Sequence, residues 1–198
     1  MKSERTKENI IRQTISLIKE ADGDIEDITM RKIAERAGIG VGLANHYFKS
    51  KEALIEVCVQ SIISDVIHSF RPEGNENNDP IEITKCAAKQ VMDFLMDNKQ
   101  ISKVSILGDL KKPMGMDNTM KSVHGFGSCL SGGKPTQEHL INSFILTSVL
   151  QEAFLRKDSL KESLGVDFNE KAERDNLIDY IVERFGGENV LNHKWQSP

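Results

Sequence analysis

The stretch from Thr29 to Leu54, TMRKIAERAGIGVGLANHYFKSKEAL, constrains the fold more than any other part of the chain, because it spells two short helices, a glycine turn and the start of a third helix. Thr29 caps the first helix, in which Ile33, Ala34 and Ala37 form one apolar face among Arg31, Lys32, Glu35 and Arg36. Gly38 follows the last apolar residue, where a left-handed backbone costs glycine little, and Ile39 re-enters the core beyond the turn. Val41 to Phe48 then supplies a second helix. Its Ala44 and Phe48, four apart, pack inward and leave Val41, Leu43, Asn45, His46 and Tyr47 open to a partner. A helix-turn-helix accounts for such an open face, since its second helix enters the major groove of DNA. Ser50 caps a long helix beginning Lys51-Glu52-Ala53-Leu54, which puts Lys51 in a first turn beside phosphate-binding amides.

The remainder reads as helical from end to end. Helix 1 is expected over Ser3 to Ala21, with Ile10, Ile11, Thr14, Ile15, Leu17, Ile18 and Ala21 on one broad buried face. Helix 4, about 51–70, carries Leu54, Val57, Cys58 and Ile62 on one face and Ile55, Val59, Ile63 and Ile67 on another, so it sits between two cores. A turn-rich connector from Pro72 to Pro80 leads to Asp79-Pro80-Ile81-Glu82, an N-cap, an N1 proline and an N3 acid that open a helix to about Asp97. Another helix is expected over Gln100 to Leu110. The segment 113–135, with five glycines, is expected to be an ordinary long loop with only a short helix around Met120, a mobile ligand gate being the alternative. Thr136 restarts a helix to about Lys157, and Asp167-Phe168-Asn169-Glu170 resembles a capping box before a last helix ending at Gly186-Gly187.

The net charge of −4 opposes nucleic-acid binding until it is divided along the chain. Residues 1–51 hold ten Lys or Arg against eight Asp or Glu, giving +2, and the rest hold sixteen against twenty-two, giving −6. Negative charge is therefore concentrated away from a footprint of Lys2, Arg5, Lys7, Arg31, Lys32, Lys49 and Lys51, and the acidic cluster Asp22 to Asp27 is expected off the DNA. The charged N-terminus lacks the apolar run of a signal peptide, and the apolar patch Phe144 to Leu150 is broken by Thr147 and Ser148, which predicts a cytoplasmic protein with no membrane partner. Cys58, Cys86 and Cys129 are odd in number and far apart, which argues for reduced structural thiols rather than a disulfide frame or zinc site. No glycine-rich phosphate loop after a strand, no H-E-x-x-H and no G-x-S-x-G elbow is present, so no catalytic residue is assigned and the chain is read as a non-enzyme.

The pattern T-x-R-x-I-A-x-x-A-G-I-G-x-G-x-x-x-x-Y-F-x-S-K-E-x-L resembles the DNA-binding module of tetracycline-repressor-like (TetR) regulators over about a quarter of the chain. The resemblance implies an all-α homodimer. Residues 1–49 would form a three-helix helix-turn-helix domain and residues 50–198 a helical effector-binding and dimerisation domain, with helix 4 linking the two. Carried over by position, Arg31 would read a base beside Thr29, which would meet a phosphate; Val41, Gly42, Leu43, Asn45 and His46 would line the groove; Tyr47 and Lys51 would touch the backbone. Tyr47 as a core aromatic stays open. Gly40, Leu43 and Asn45 depart from the family's usual hydroxyl or amide cap, Thr or Ser, and Tyr, which puts at least two familiar phosphate contacts in question. Asn45 is suited to an adenine edge and Leu43 or Val41 to a thymine methyl, which predicts an A·T-rich half-site.

The last two long helices would form a four-helix bundle with a partner copy, to which Leu140, Phe144, Leu177, Ile181 and Phe185 are spaced to contribute; simple packing within one subunit is the alternative. Met92, Phe94, Met96, Met114, Met116, Met120, Phe126 and Phe144 suit either an adaptable apolar pocket or a core. His124 and His139 are weak candidates for polarising a ligand, and no metal or cofactor is assigned. The expected function is a repressor released from a palindromic operator in double-stranded DNA by a small hydrophobic effector. The competing expectation is a coactivator of the same fold that binds another regulatory protein.

Overall fold

The computed structural model describes residues 2–21, 24–69 and 79–186, the side chains of residues 2 and 185 aside. The described residues form helices α1 (Lys2–Glu20), α2 (Met30–Arg36), α3 (Val41–Tyr47), α4 (Lys51–Ser69), α5 (Pro80–Asp97), α6 (Lys99–Lys111), α7 (Asn118–Ser131), α8 (Gln137–Leu155), α9 (Leu160–Leu164) and α10 (Lys171–Gly186), with no strand among them. Most of the Pro72–Pro80 connector, Asp22, Phe70, Gly187 and the Phe185 side chain lie outside the described residues.

The chain forms two compact units, 1–70 with 97–118 and 71–96 with 119–198. This differs from a division at residue 49, because the first unit takes in α4 and α6 as well as the three N-terminal helices. The reason is chemical. Gln60 of α4 donates to the Ser105 carbonyl at 3.2 Å and to Asp109 Oδ1 at 2.9 Å, and Asn118 donates to the Gln60 carbonyl and side-chain oxygen at 3.0 and 2.6 Å. Gly108 allows the approach, since a Cβ there would stand 3.0 Å from Gln60 Nε2. On α1, Ile10, Thr14 and Ile18 are buried at i, i+4 and i+8, while Ile11, Ile15 and Leu17 are half-buried and Ala21 is exposed. On α4, Leu54, Ile55, Cys58, Val59, Ile62 and Ile63 are buried, as a two-faced helix requires, but Val57 is 43% exposed and Ile67 half-buried. Cys58 donates to the Ile11 carbonyl at 3.7 Å, and burial pushes its thiol up to about 12 despite a hydrogen bond with Thr14.

In the second unit, Asp79 accepts from the Ile81 amide at 2.9 Å and Pro80 opens α5, while Thr136 and His139 cap α8 reciprocally. The expected long loop over 113–135 is corrected: α7 occupies Asn118–Ser131. Val123 and Phe126 bury one side of this helix, and Gly127 is a packing residue, because a Cβ there would lie 3.1 Å from Leu140 Cδ2 and 3.3 Å from Pro135 Cβ. The turn before α10 is closed by Asp167, which accepts from Asn169 at 3.1 Å and whose amide donates to Glu173 at 2.6 Å, so the reciprocal acid is Glu173 rather than Glu170. Asp93 of α5 ties this end to the unit. Its carboxylate accepts from Lys171 at 2.6 Å and from Arg174 at 2.7 Å, and the nearly buried Arg174 also donates to the Phe168 carbonyl at 3.1 Å. Partial burial would raise the Asp93 carboxyl, but the two cations hold it below the ordinary Asp value.

Asp93→Ala leaves the Arg174 guanidinium buried without its anion and is expected to cost about 2 kcal/mol in urea unfolding, less than a fully buried pair because Asp93 is partly exposed. The contribution of this pair is expected to be complete above the unfolded Asp value, near 4, and to disappear as pH falls through the lower folded value. A thermal-unfolding series from pH 6 to 2 in wild type and Asp93→Ala checks the sign, the two curves converging in acid.

Candidate nucleic-acid interface

The first unit places the head's side chains by three local devices. Thr29 sits in extended backbone and its Oγ1 accepts from the Lys32 amide at 3.2 Å, which satisfies an amide at the start of α2. At the other end of α2, Gly38 takes φ +67°, its amide donates to Glu35 at 3.1 Å, and the Ile39 amide returns to the Ala34 carbonyl at 3.0 Å. These paired bonds form the left-handed stop of a Schellman turn. Asn9 of α1 donates to the Ala37 carbonyl at 3.0 Å and fixes the turn to the scaffold helix. Finally Ser50 Oγ accepts from the Ala53 amide at 3.2 Å and starts α4. The Glu52 carboxyl lies below its ordinary value because its own backbone amide and Ser50 bond to the charged form.

Between these points α3 buries Ala44 completely and Phe48 nearly so, while its other side is bare. Val41 is 39% and Leu43 43% exposed, and Gly42, Asn45 and His46 are exposed beside them. Arg31 and Thr29 are exposed on α2 and its cap. Gly40 is the N-cap of α3 and gives no side-chain bond, as expected of its departure from a hydroxyl or amide. A Cβ at Gly40 or Gly42 would meet nothing within 4 Å, so neither glycine is demanded by packing in the free protein.

The residues expected to touch the DNA backbone already have partners. Tyr47 is half-buried, donates to Ser3 Oγ at 3.1 Å and meets the His46 ring edge-on at 5.6 Å, which separates it from the core aromatic Phe48. Lys51 is half-buried and donates to the Glu26 carbonyl at 3.0 Å; Lys32 does the same to the Asp27 carbonyl at 3.0 Å. An ammonium has three donors, so these bonds orient the cations and leave two hydrogens each for a phosphate. Lys7 stands 5.9 Å from the Phe48 ring centroid, and Arg36 pairs with Glu20, whose carboxyl that guanidinium and Ser16 hold below its ordinary value. Arg5 and Lys49 are exposed. Sequence reasoning missed Asn9 and Gln100, which bond backbone from distant helices; an amide at the edge of the apolar face was the only available signal for Asn9.

The other candidate residues are dispersed. Met92 and Phe126 are buried and Phe144 is 51% exposed in the second unit, whereas Met114 and Met116 are exposed in the first. His139 serves as a cap, accepting from the Thr136 amide at 3.2 Å, and His124 is exposed. Of the proposed dimer residues, Ile181 is buried and Leu140 and Leu177 are half-buried. No helix among the described residues is long and apolar enough to cross a membrane.

Residues 10–58 match the family model described as "Bacterial regulatory proteins, tetR family", a span that runs from Ile10 on α1 through the whole exposed face to Cys58 on α4. The HTH-type transcriptional regulator SAB2452 of Staphylococcus aureus is 29% identical over 77 residues, covering 39% of this chain and 42% of that protein. The HTH-type transcriptional regulator BetI of Klebsiella pneumoniae is 24% identical over 172 residues, covering 68% of this chain and 87% of that protein. A TetR-family regulator from Haemophilus influenzae, HI0893, superposes with a TM-score of 0.41 at 17% identity over 91% of this chain and 97% of the other. Within an all-helical architecture, the capped helix-turn-helix and the match of residues 10–58 identify that segment as a helix-turn-helix domain of the tetR family of bacterial regulatory proteins, in a chain similar over most of its length to the transcriptional regulator BetI.

Proposed function

We propose that this regulator is a cytoplasmic homodimeric repressor that holds a palindromic operator when empty and releases it when a small hydrophobic effector binds. The observation that supports it best is the bare side of α3: Val41 and Leu43 are exposed on a helix whose opposite side is fixed by Ala44 and Phe48. Apolar exposure on so short and well-anchored a helix suits contact with thymine methyls, while Asn45 beside it suits an adenine edge. Arg31 and the oriented ammonium of Lys51 belong to the same unit. Leu140, Phe144, Leu177, Ile181 and Phe185 are the proposed dimer contacts, and the exposure of Phe144 favours that use for it. A two-fold dimer would read two half-sites about one helical turn apart. The binding chemistry asks for no covalent step, in keeping with a regulator that is not an enzyme. Effector release requires an effector that binds the DNA-incompetent state better than the competent one.

Selection of random duplex DNA by the purified protein at moderate salt tests the reading directly. A palindrome is expected; Arg31→Ala is expected to cost about 1–3 kcal/mol and blur one position of each half-site, while Lys51→Ala weakens all sequences alike and flattens the salt dependence. No enrichment at all would favour a head that binds another regulatory protein through Val41 and Leu43. Gly42→Ala separates the two roles of that glycine. The free protein is expected to be at least as stable by thermal unfolding, because the added methyl has open space, yet operator affinity is expected to fall at least tenfold if the groove wall approaches Gly42 closely.

A further inference from the structure

The four residues Asp24 to Asp27 between α1 and α2 receive a bond from each of three helices. Lys32 of α2 donates to the Asp27 carbonyl at 3.0 Å, Lys51 of α4 to the Glu26 carbonyl at 3.0 Å, and Gln100 of α6 clasps the front of the loop. Gln100 does so with both ends of its amide: Oε1 accepts the Ile25 amide at 3.0 Å and Nε2 donates to Asp24 Oδ1 at 3.2 Å. The same Asp24 oxygen accepts the Glu26 amide at 3.0 Å, so the clasp also holds the turn within the loop. Because a backbone N–H only donates and a carboxylate only accepts, the two partners demand one acceptor and one donor from a single side chain, and a planar carboxamide supplies them. Ile28, next along the chain, is buried, and Thr29 after it caps α2 and stands two residues before Arg31.

We propose that Gln100 is a positioning residue for DNA binding, the point at which the start of α6 fixes the Asp24–Asp27 loop and through it the α2 cap that carries Thr29 and Arg31. It touches no DNA itself; it acts through Asp24 and the Ile25 amide. A shift of the α6 start loosens the head by breaking this clasp. The proposal rests on the reading of the head as DNA-binding.

The test uses the full chain and the duplex that wild type selects from random DNA. Gln100→Glu places a second carboxylate against Asp24 and is expected to lower affinity at least fivefold, with faster hydrogen exchange at the Ile25 amide and an unchanged salt slope. Asp24→Asn in that background removes the like-charge repulsion while its Oδ1 still accepts the Glu26 amide and position 100 still accepts the Ile25 amide, and is expected to recover the Ile25 protection and part of the affinity. Wild-type affinity in Gln100→Glu, or no recovery in the double variant at unchanged thermal stability, would overturn the clasp while leaving the DNA-reading head intact. If Gln100→Glu unfolds at lower temperature, Gln100→Ala, which adds no charge, replaces it; equal affinity of Gln100→Ala and wild type overturns the proposal. Failure of wild type to select any duplex would instead remove the DNA-binding reading, and this role with it.

Discussion

The head depends on the left-handed backbone at Gly38. With φ at +67°, the chain closes α2 by returning the Gly38 and Ile39 amides to Glu35 and Ala34, and in three residues it is ready to begin α3. An L side chain in that conformation costs about 1–2 kcal/mol, and the surroundings offer no steric reason for glycine, so the constraint is the dihedral alone. The placement of α3 depends on the angle that dihedral sets. Ala44 and Phe48 reach the core only because α3 leaves the turn in one direction, and that direction puts Val41, Leu43 and Asn45 outward. Asn9, reaching from α1 to the Ala37 carbonyl, then prevents the turn from rocking on its scaffold.

Where sequence reading succeeded, the signals were local and chemical. Thr29, Ser50, Asp79 and Thr136 are all side chains that accept amides a residue or a few ahead, and each opens the helix expected of it. The failure over 113–135 has an equally definite cause. Glycine inside a helix costs about 1 kcal/mol and so reads as a break, yet Gly127 is required by the proximity of Leu140 and Pro135, a fact of tertiary packing that no window on the sequence contains. Helix α9 escaped notice for a related reason: five residues are too few for a periodic pattern, and its left-handed end at Gly165 resembles any turn. Val57 shows the limit of face counting, since a pattern that is apolar on two sides does not say where the buried arc ends. Within the candidate interface, exposure of the α3 face was legible, but the partners of Lys51, Lys32 and Tyr47 were not, because two of the three are backbone carbonyls made available by loop geometry.

Those carbonyl bonds change how the modest charge of the head should be understood. A surplus of +2 over residues 1–51 is weak as a long-range field at physiological salt, where screening acts within about 8 Å. Cations held in place act differently from cations that are merely numerous. Lys32 and Lys51 are each held by a backbone carbonyl of the acidic loop, which reduces the side-chain entropy lost on meeting a phosphate. The Asp24 carboxylate is in turn occupied with turn-making, accepting the Glu26 amide and the Gln100 side chain.

The magnitude of the bonds around that loop bears on how a regulator of this kind could switch. A net contribution of about 0.5–1.5 kcal/mol for a hydrogen bond, and up to about 3 when a partner is charged, gives the two bonds of Gln100 a combined weight of a few kcal/mol. Allosteric coupling between sites is commonly about 1–3 kcal/mol, or roughly 5- to 150-fold in affinity. A clasp of that size is strong enough to bias the head and weak enough to be broken by the differential affinity of one ligand. The Gln60–Asp109–Asn118 network joining α4 to α6 has more bonds and a buried carboxylate, so α4 and α6 are the better candidates to move as one body, with the α1–α2 loop as the place where that body yields. Rigidity between the two longer helices is what allows a small displacement of α6 to be felt at Thr29 instead of being absorbed on the way.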